Sequence, residues 1–247
     1  MTTIADNTIL VTGGNRGIGR ALAAEALRRG AERVYVGTRK PVADSDARIT
    51  PVPLDVTDAA QIRQAVDHVG KLDILVNNAG IALYDDLTDR ATLQRHLDVN
   101  LFGTYSVTAA FLPLLSASRG AVVNNLSVNA LAPLPLIPAY SISKAAAFSL
   151  TQSLRTLLAQ HGVTVHAVLT GIVDTDMTRG LDAPKASPES VARAIFDGLE
   201  NNEEDIFPDA MSGSMADGWR SGPAKALERQ YAALATAERI KAQANSG

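Results

Sequence analysis

Tyr140 and Lys144 stand four residues apart. That spacing stacks two side chains on one face of a helix. A tyrosine hydroxyl has a pKa of about 10 and moves protons poorly at neutral pH. A neighbouring ammonium favours the phenolate and lowers that value. The pair would then form an acid/base group working near physiological pH. The same spacing alone also describes a surface helix pair, so its surroundings decide. Ser127 closes an apolar run upstream of Tyr140. Its hydroxyl can donate a hydrogen bond to a developing alkoxide, or cap a turn.

Near the start lies Thr12-Gly13-Gly14-Asn15-Arg16-Gly17-Ile18-Gly19, between an apolar strand and a helical pattern. Glycines let the backbone turn sharply and approach a bound group. The free N–H groups and dipole of the helix attract an anion, so the run reads as a pyrophosphate cradle. Its spacing differs from the commoner G-x-G-x-x-G fingerprint, and a tight turn without a ligand is the plainer alternative. Proteins that bind NAD place an acidic residue about 20 positions beyond the glycines. Here that place holds Thr38-Arg39-Lys40, with no acid. An arginine fork can take a phosphate bidentately and stack on an adenine. Arg16 could hold the other side of that phosphate. Either arginine alone could equally be an ordinary surface residue.

Apolar strands alternate with helical patterns along the chain. Strands are expected at 9–12, 33–37, 72–77, 121–126 and 163–169. Helices are expected at 17–29, 58–69, 91–115 (one or two) and 141–160. Such near-continuous apolar strands mean a parallel sheet covered by helices on both faces. The expected fold class is α/β, a doubly wound, mostly parallel, Rossmann-like sheet with ligands at the carboxyl ends of its strands. Residues 175–187 are polar, Ser187-Pro188-Glu189 opens a helix, and 201–205 reads as a solvated turn. A terminal helix over about 225–243 carries Leu227, Tyr231 and Leu234 on one stripe.

The chain has 247 residues, 46% hydrophobic and 20% charged, which excludes disordered and fibrous classes. Cysteine is absent, which excludes disulfides, a thiolate nucleophile and cysteine-ligated metals. A net charge of −3 gives no reason to expect a nucleic-acid partner. No signal-peptide pattern opens the chain. The longest apolar stretches, such as 108–115, contain Pro113 and are too short for a bilayer, so a soluble cytoplasmic protein with no membrane partner is expected. His68, His96, His161 and His166 show no ligand spacing with carboxylates, and no metal site is expected. No role is assigned to His96.

Thr12-Gly-x-x-x-Gly-x-Gly19, Asn77-Asn78-Ala79-Gly80, Asn100, Ser127 and Tyr140-x-x-x-Lys144 occur in order. That set resembles the short-chain dehydrogenases/reductases, in the branch with chains of this length. The resemblance spans Thr8 to about Thr178. It implies a single Rossmann-like domain over 1–247, with a substrate lid at about 175–190. It implies a catalytic set of Asn100, Ser127, Tyr140 and Lys144, with Asn100 disturbing its helix and holding a water in a relay with the lysine. It places the cofactor against Gly13, Asn15, Arg16, Gly17, Ile18, Gly19, Thr38 and Arg39. Asp55 and Val56 would meet the adenine. Asn77, Ala79 and Gly80 would form the wall by its ribose, and Tyr140 and Lys144 would face the nicotinamide ribose. Gly171, Val173 and Thr175 would lie by the nicotinamide amide. In this family the Arg16–Arg39 pairing goes with NADP(H). A homodimer or homotetramer is also implied.

Two places depart from the family pattern. Thr170-Gly171 stands where most members have Pro-Gly, and Val128-Asn129-Ala130 follows Ser127 where small residues and Gly are common. Asn129 could meet substrate or only shape a turn. The stiff apolar segment 131–138, including Leu134, could line a pocket with Ile81, Ala82, Leu83 and Met177, or pack on the protein itself. The candidate substrate contacts are Ser127, Asn129, Leu134, Tyr140 and Met177, facing a hydrophobic ketone, aldehyde or secondary alcohol. The expected activity is hydride transfer with NADP(H), with Tyr140 as general acid/base. Two alternatives stand beside it. One is a dehydratase or epimerase using the same Tyr and Lys, against which the missing sugar-binding domain argues. The other is a non-catalytic NADP(H)-binding regulator, against which the complete residue set argues.

Overall fold

The computed structural model describes residues 2–41 and 44–244, with side chains described to residue 236. The chain runs through β1 (Thr8–Thr12), α1 (Gly17–Arg28), β2 (Arg33–Thr38), β3 (Ile49–Pro53), α2 (Ala59–Val69) and β4 (Ile74–Asn77). α3 (Arg90–His96), a π-helical stretch Leu97–Gly103 and α4 (Thr104–Ser118) follow without a break. Then come β5 (Ala121–Asn125), α5 (Pro138–Leu158), β6 (Thr164–Val168), α6 (Pro188–Glu200) and β7 (Asp205–Ile206). The short α7 (Ala210–Gly213) and α8 (Ala216–Arg220) lead into α9 (Pro223–Ala244).

Among the described residues seven strands form one sheet, in the order β3-β2-β1-β4-β5-β6-β7, and every pairing is parallel. β1 shows why the strands are apolar throughout. Its side chains alternate between faces, and helices cover both. Ile9 and Val11 pack with Leu22, Ile195 and Phe196 of α1 and α6. Leu10 packs on the other side with Ile62, Val107 and Phe111 of α2 and α4. Each fully buried Leu, Val or Phe contributes roughly 1.5–3 kcal/mol relative to exposure. The strand order reverses between β1 and β4, which opens a crevice at their carboxyl ends.

Residues 90–118 are long and apolar enough to cross a membrane by length and composition. Val107, Phe111 and Leu115 are fully buried against the sheet, so one face of the segment packs into the core, while Phe102 and Tyr105 are exposed.

The structure adds elements that patterning does not show. β3 contains Pro51 and Pro53, which hide a strand in the sequence but are tolerated at the sheet edge where β3 lies. β7 has two residues and falls where a solvated turn is expected. α5 begins at Pro138, three residues earlier than expected. Leu227, Tyr231 and Leu234 of α9 are exposed. What holds α9 is Lys225, 1% exposed, whose ammonium meets Glu204, Asp205 and Glu228 at 2.7–2.9 Å.

Candidate active site

A cleft of about 800 Å³ lies along the carboxyl ends of the strands. Gly13 to Gly19 form one end. Gly13 adopts φ +64°, and a Cβ there would lie 3.0 Å from the Ala79 backbone. A Cβ on Gly19 would lie 2.3 Å from the Gly13 carbonyl and 2.6 Å from the Asn78 amide. The loop can hold this shape only with glycine at both places. α1 starts with Arg16 as its cap residue, with no side-chain cap and no acid in the first turn. α2, α3 and α6, by contrast, are capped by Asp58, Asp89 and Ser187. The first N–H groups of α1 are thus left for an anion. The residues present therefore fit a dinucleotide. Asn15, Arg16, Gly17, Ile18, Thr38, Arg39, Asp55, Val56, Ala79 and Gly80 all line this part of the cleft.

Arg16 has a further partner. Its guanidinium lies 3.0 Å from the Asp176 carboxylate, which also pairs with Arg179. Thr175 packs over Gly17. The root of the 175–190 segment is tied by the Val173–Ala186 bridge. This segment therefore rests directly on the glycine loop, joined to it by the arginine expected to face a phosphate.

At the other end, Ser127, Tyr140, Lys144, Gly171, Val173, Thr175 and Met177 line the same cleft. Ser127 accepts the Asn129 N–H at 3.1 Å, which leaves its own proton for a partner in the cleft. Tyr140 and Lys144 lie on one face of α5, and the ammonium is 5.7 Å from the centre of the tyrosine ring. Lys144 Nζ donates to the Asn125 carbonyl at 2.8 Å. Burial pushes the Tyr140 hydroxyl up to about 12, partly offset by a hydrogen bond from Ser127. Burial pushes Lys144 down to about 8. Burial thus sets the net direction of the Tyr140 shift upward, against the lowering expected from a neighbouring lysine. Both groups are desolvated, and the ammonium is turned to a backbone carbonyl.

Asn100 lies in the π-helical stretch, so the expected disturbance of its helix is present. Its side chain is committed elsewhere. Oδ1 accepts the Ile81 N–H at 2.9 Å, and Nδ2 donates to the Ile81 carbonyl at 3.0 Å and to Ser143 Oγ at 2.9 Å. Both amide protons are spent on holding the backbone at Ile81 and the helix beside Lys144.

Asn77 is buried beneath the cleft and bonds Thr108 and Asn124. Asn129 and Leu134 are not brought into the cleft wall. Asn129 closes the turn after Ser127, and Leu134 is 39% exposed. Leu136 is exposed too, and Leu131 packs against the Leu126–Phe148 cluster, so segment 131–138 faces solvent and protein.

Sequence reasoning missed a polar chain on the cleft floor. Thr170 Oγ1 donates to Asn125 Oδ1 at 2.8 Å, Asn125 Nδ2 donates to Asn78 Oδ1 at 2.9 Å, and Asn78 Nδ2 donates to the Thr12 and Gly13 carbonyls. The departure from proline at 170 was the signal that pointed there. Its hydroxyl links the ends of β6, β5 and β4 to the glycine loop.

A doubly wound parallel sheet, with an anion cradle and a buried tyrosine–lysine pair at its carboxyl edge, defines the Rossmann-like oxidoreductases. Comparison with known proteins makes the class narrower. The family model for short chain dehydrogenase matches residues 7–186, and the chain belongs to that family. It is 34% identical over 210 residues to an uncharacterized oxidoreductase of Staphylococcus epidermidis, covering 79% of this chain and 91% of the relative. It is 32% identical over 224 residues to an 11-beta-hydroxysteroid dehydrogenase-like protein of Arabidopsis thaliana, covering 81% of this chain and 72% of that one. Among solved structures, a short chain dehydrogenase from Burkholderia cenocepacia in complex with NADP matches with a TM-score of 0.85 and 34% identity, over 93% of this chain and 98% of that chain. The expected fold class and family are thereby established.

Proposed function

We propose that this oxidoreductase reduces a ketone or aldehyde, or oxidises the matching secondary alcohol, with NADP(H). The observation that carries the reading is the meeting of Ser127, Tyr140 and Lys144 with the glycine cradle in one cleft. When bound, NADP(H) supplies or takes up the hydride. Tyr140, protonated by virtue of its burial, gives its proton to the carbonyl oxygen. Ser127 donates a hydrogen bond to the same oxygen and polarises it. Lys144 is oriented by the Asn125 carbonyl, and its remaining protons would be free to hold the ribose hydroxyls of a bound cofactor. Asn100 acts as a positioning residue, through Ile81 and Ser143.

The preference for NADP(H) over NAD(H) rests on Arg39 and Arg16 together with the missing acid after β2. Ile81 and Met177 give the carbonyl end an apolar wall, which suits a hydrophobic substrate. The whole chain acts as one catalytic unit in the cytoplasm. It self-associates through exposed apolar residues such as Phe102, Tyr105 and Leu157. Light scattering on a sizing column tests that last point.

The activity is tested by NADPH consumption across a panel of aryl and alkyl ketones and aldehydes, with NADH in parallel. NADP reduction by the matching alcohols completes the test. Turnover with NADPH above NADH supports the reading. Tight NADPH binding without turnover of any compound would favour a non-catalytic role.

A further inference from the structure

Loop 81–88 leaves the cleft at Ile81 and lands on the start of α5, beside Tyr140. Three side chains anchor it, Asn100 and His96 from the helical stretch 90–118 and Asp85 from the loop itself. The first anchor is Asn100 on Ile81, described above. The second is His96, which is fully buried. Its Nε2 accepts the Leu83 N–H at 3.0 Å, and its Nδ1 lies 2.8 Å from the Thr92 carbonyl. The two partners fix the ring proton on Nδ1. The imidazole also meets the Tyr140 ring edge-on, 6.4 Å between centres at 72°. One buried histidine thus touches both the loop and the tyrosine.

The third anchor is Asp85. Its two oxygens lie 3.2 and 3.3 Å from the Ala139 N–H, one residue before Tyr140. α5 has no cap of its own. Its cap residue is Ile137, which has no side-chain acceptor, and Pro138 has no N–H. Asp85 therefore caps the tyrosine-bearing helix from the loop, and the carboxylate suits the positive end of the helix dipole. Asp85 also accepts the Leu87 N–H at 3.2 Å. Leu87 is held at φ +63°, a left-handed conformation that a leucine keeps only where its surroundings impose it.

We propose that His96 and Asp85 are positioning residues that lock loop 81–88 onto α5, making it the rigid wall that orients a carbonyl substrate against Tyr140. The inference rests on the carbonyl-reduction reading above. Neither side chain touches the reacting atoms. His96 acts through the Leu83 backbone and the edge of the Tyr140 ring, and Asp85 through the Ala139 backbone. Orientation of a bound carbonyl is steep in distance, so a loosened wall weakens substrate binding and turnover while leaving the distant glycine cradle as it was.

The test uses His96→Phe, Asp85→Ala and Asp85→Asn in the full chain, with acetophenone and benzaldehyde as probes. Hydrogen exchange at residues 81–88 reads the anchoring without reference to activity. Asp85→Ala and His96→Phe should speed exchange there, and should lower kcat/KM for the carbonyl probe about tenfold. KM for NADPH should stay within about twofold. Asp85→Asn keeps an acceptor oxygen and should retain most of both properties. Should His96→Phe fail to fold, the Asp85 pair decides. Unchanged exchange in the loop, or equal losses for NADPH and carbonyl, would overturn the proposal. A wild-type chain that reduces no carbonyl compound would overturn the function reading and the substrate half of this one. The exchange data would still decide the anchoring.

Discussion

The ammonium of Lys144 and the ring of Tyr140 are buried together, 5.7 Å apart, and burial drives each toward its neutral form. Tyr140 stays protonated across the working range because its hydroxyl is pushed up to about 12. Lys144, lowered to about 8, is charged below that pH and neutral above it. Carbonyl reduction should therefore fall as pH rises through about 8, where the lysine loses its charge. A pH profile of kcat checks this. Lys144→Arg keeps a charge at all these values, so its profile should lack that alkaline limb, whatever its absolute rate.

Arg16 and Arg39 set a second expectation. Removing a charge-assisted contact to a phosphate costs roughly 1.5–3 kcal/mol, so Arg39→Ala should weaken NADPH binding about tenfold or more. NADH binding should change little. Asp176→Asn should do the opposite, because it frees Arg16 from its 3.0 Å carboxylate partner. Exposed pairs are weak, so the gain should be only a few-fold, about two to five. Titration of each variant with both nucleotides, followed by nucleotide fluorescence, reads the outcome.

Gly19→Ala would push a Cβ to 2.3 Å from the Gly13 carbonyl. The glycine loop must move to relieve that clash. NADPH binding should be lost, while circular dichroism at equal temperature shows the helices retained.

Lys225 offers a test of stability away from the cleft. Removing one partner of a buried ion pair costs up to about 3–5 kcal/mol, and here Arg155 still pairs with Asp205 and Glu228 while Glu204 is half-exposed, so the loss should fall below that range. Lys225→Met should lower the urea midpoint accordingly. Asp205 gives the pH sign. Burial alone would raise its carboxyl, but Arg155 and Lys225 hold it below the usual range. Its stabilisation is present above that range and is lost as pH falls through the lowered value. Lys225→Met should therefore flatten the acid side of the stability curve.

Much of this site was legible in the sequence because local spacing encodes it. The glycine run before α1, the four-residue step from Tyr140 to Lys144, and Ser127 at a strand end are each visible as local spacing, and their occurrence in order with residues 77–80 and Asn100 is what makes them a set. Elements that depend on distant contacts were not legible. Pro51 and Pro53 mask β3, and only its edge position makes the prolines acceptable. β7 is too short to show a period. The buried roles of Lys225 and His96 come from partners supplied by other segments, and a lone lysine or histidine carries no mark of them. The same holds for the cap that Asp85 gives α5 from 54 positions away. The burial that raises Tyr140 was not legible for a related reason. Spacing shows that a lysine is near, but not that both groups are desolvated or that the ammonium turns to Asn125.

Tyr140 as proton donor is tested most directly by Tyr140→Phe in an NADPH-consumption assay with the best carbonyl substrate of the panel. General acid catalysis is worth about 10²–10⁴-fold, so turnover should fall by at least about a hundredfold. NADPH affinity and thermal stability should stay close to wild type. A phenylalanine variant that folds, binds NADPH and keeps wild-type turnover would contradict the assignment of Tyr140.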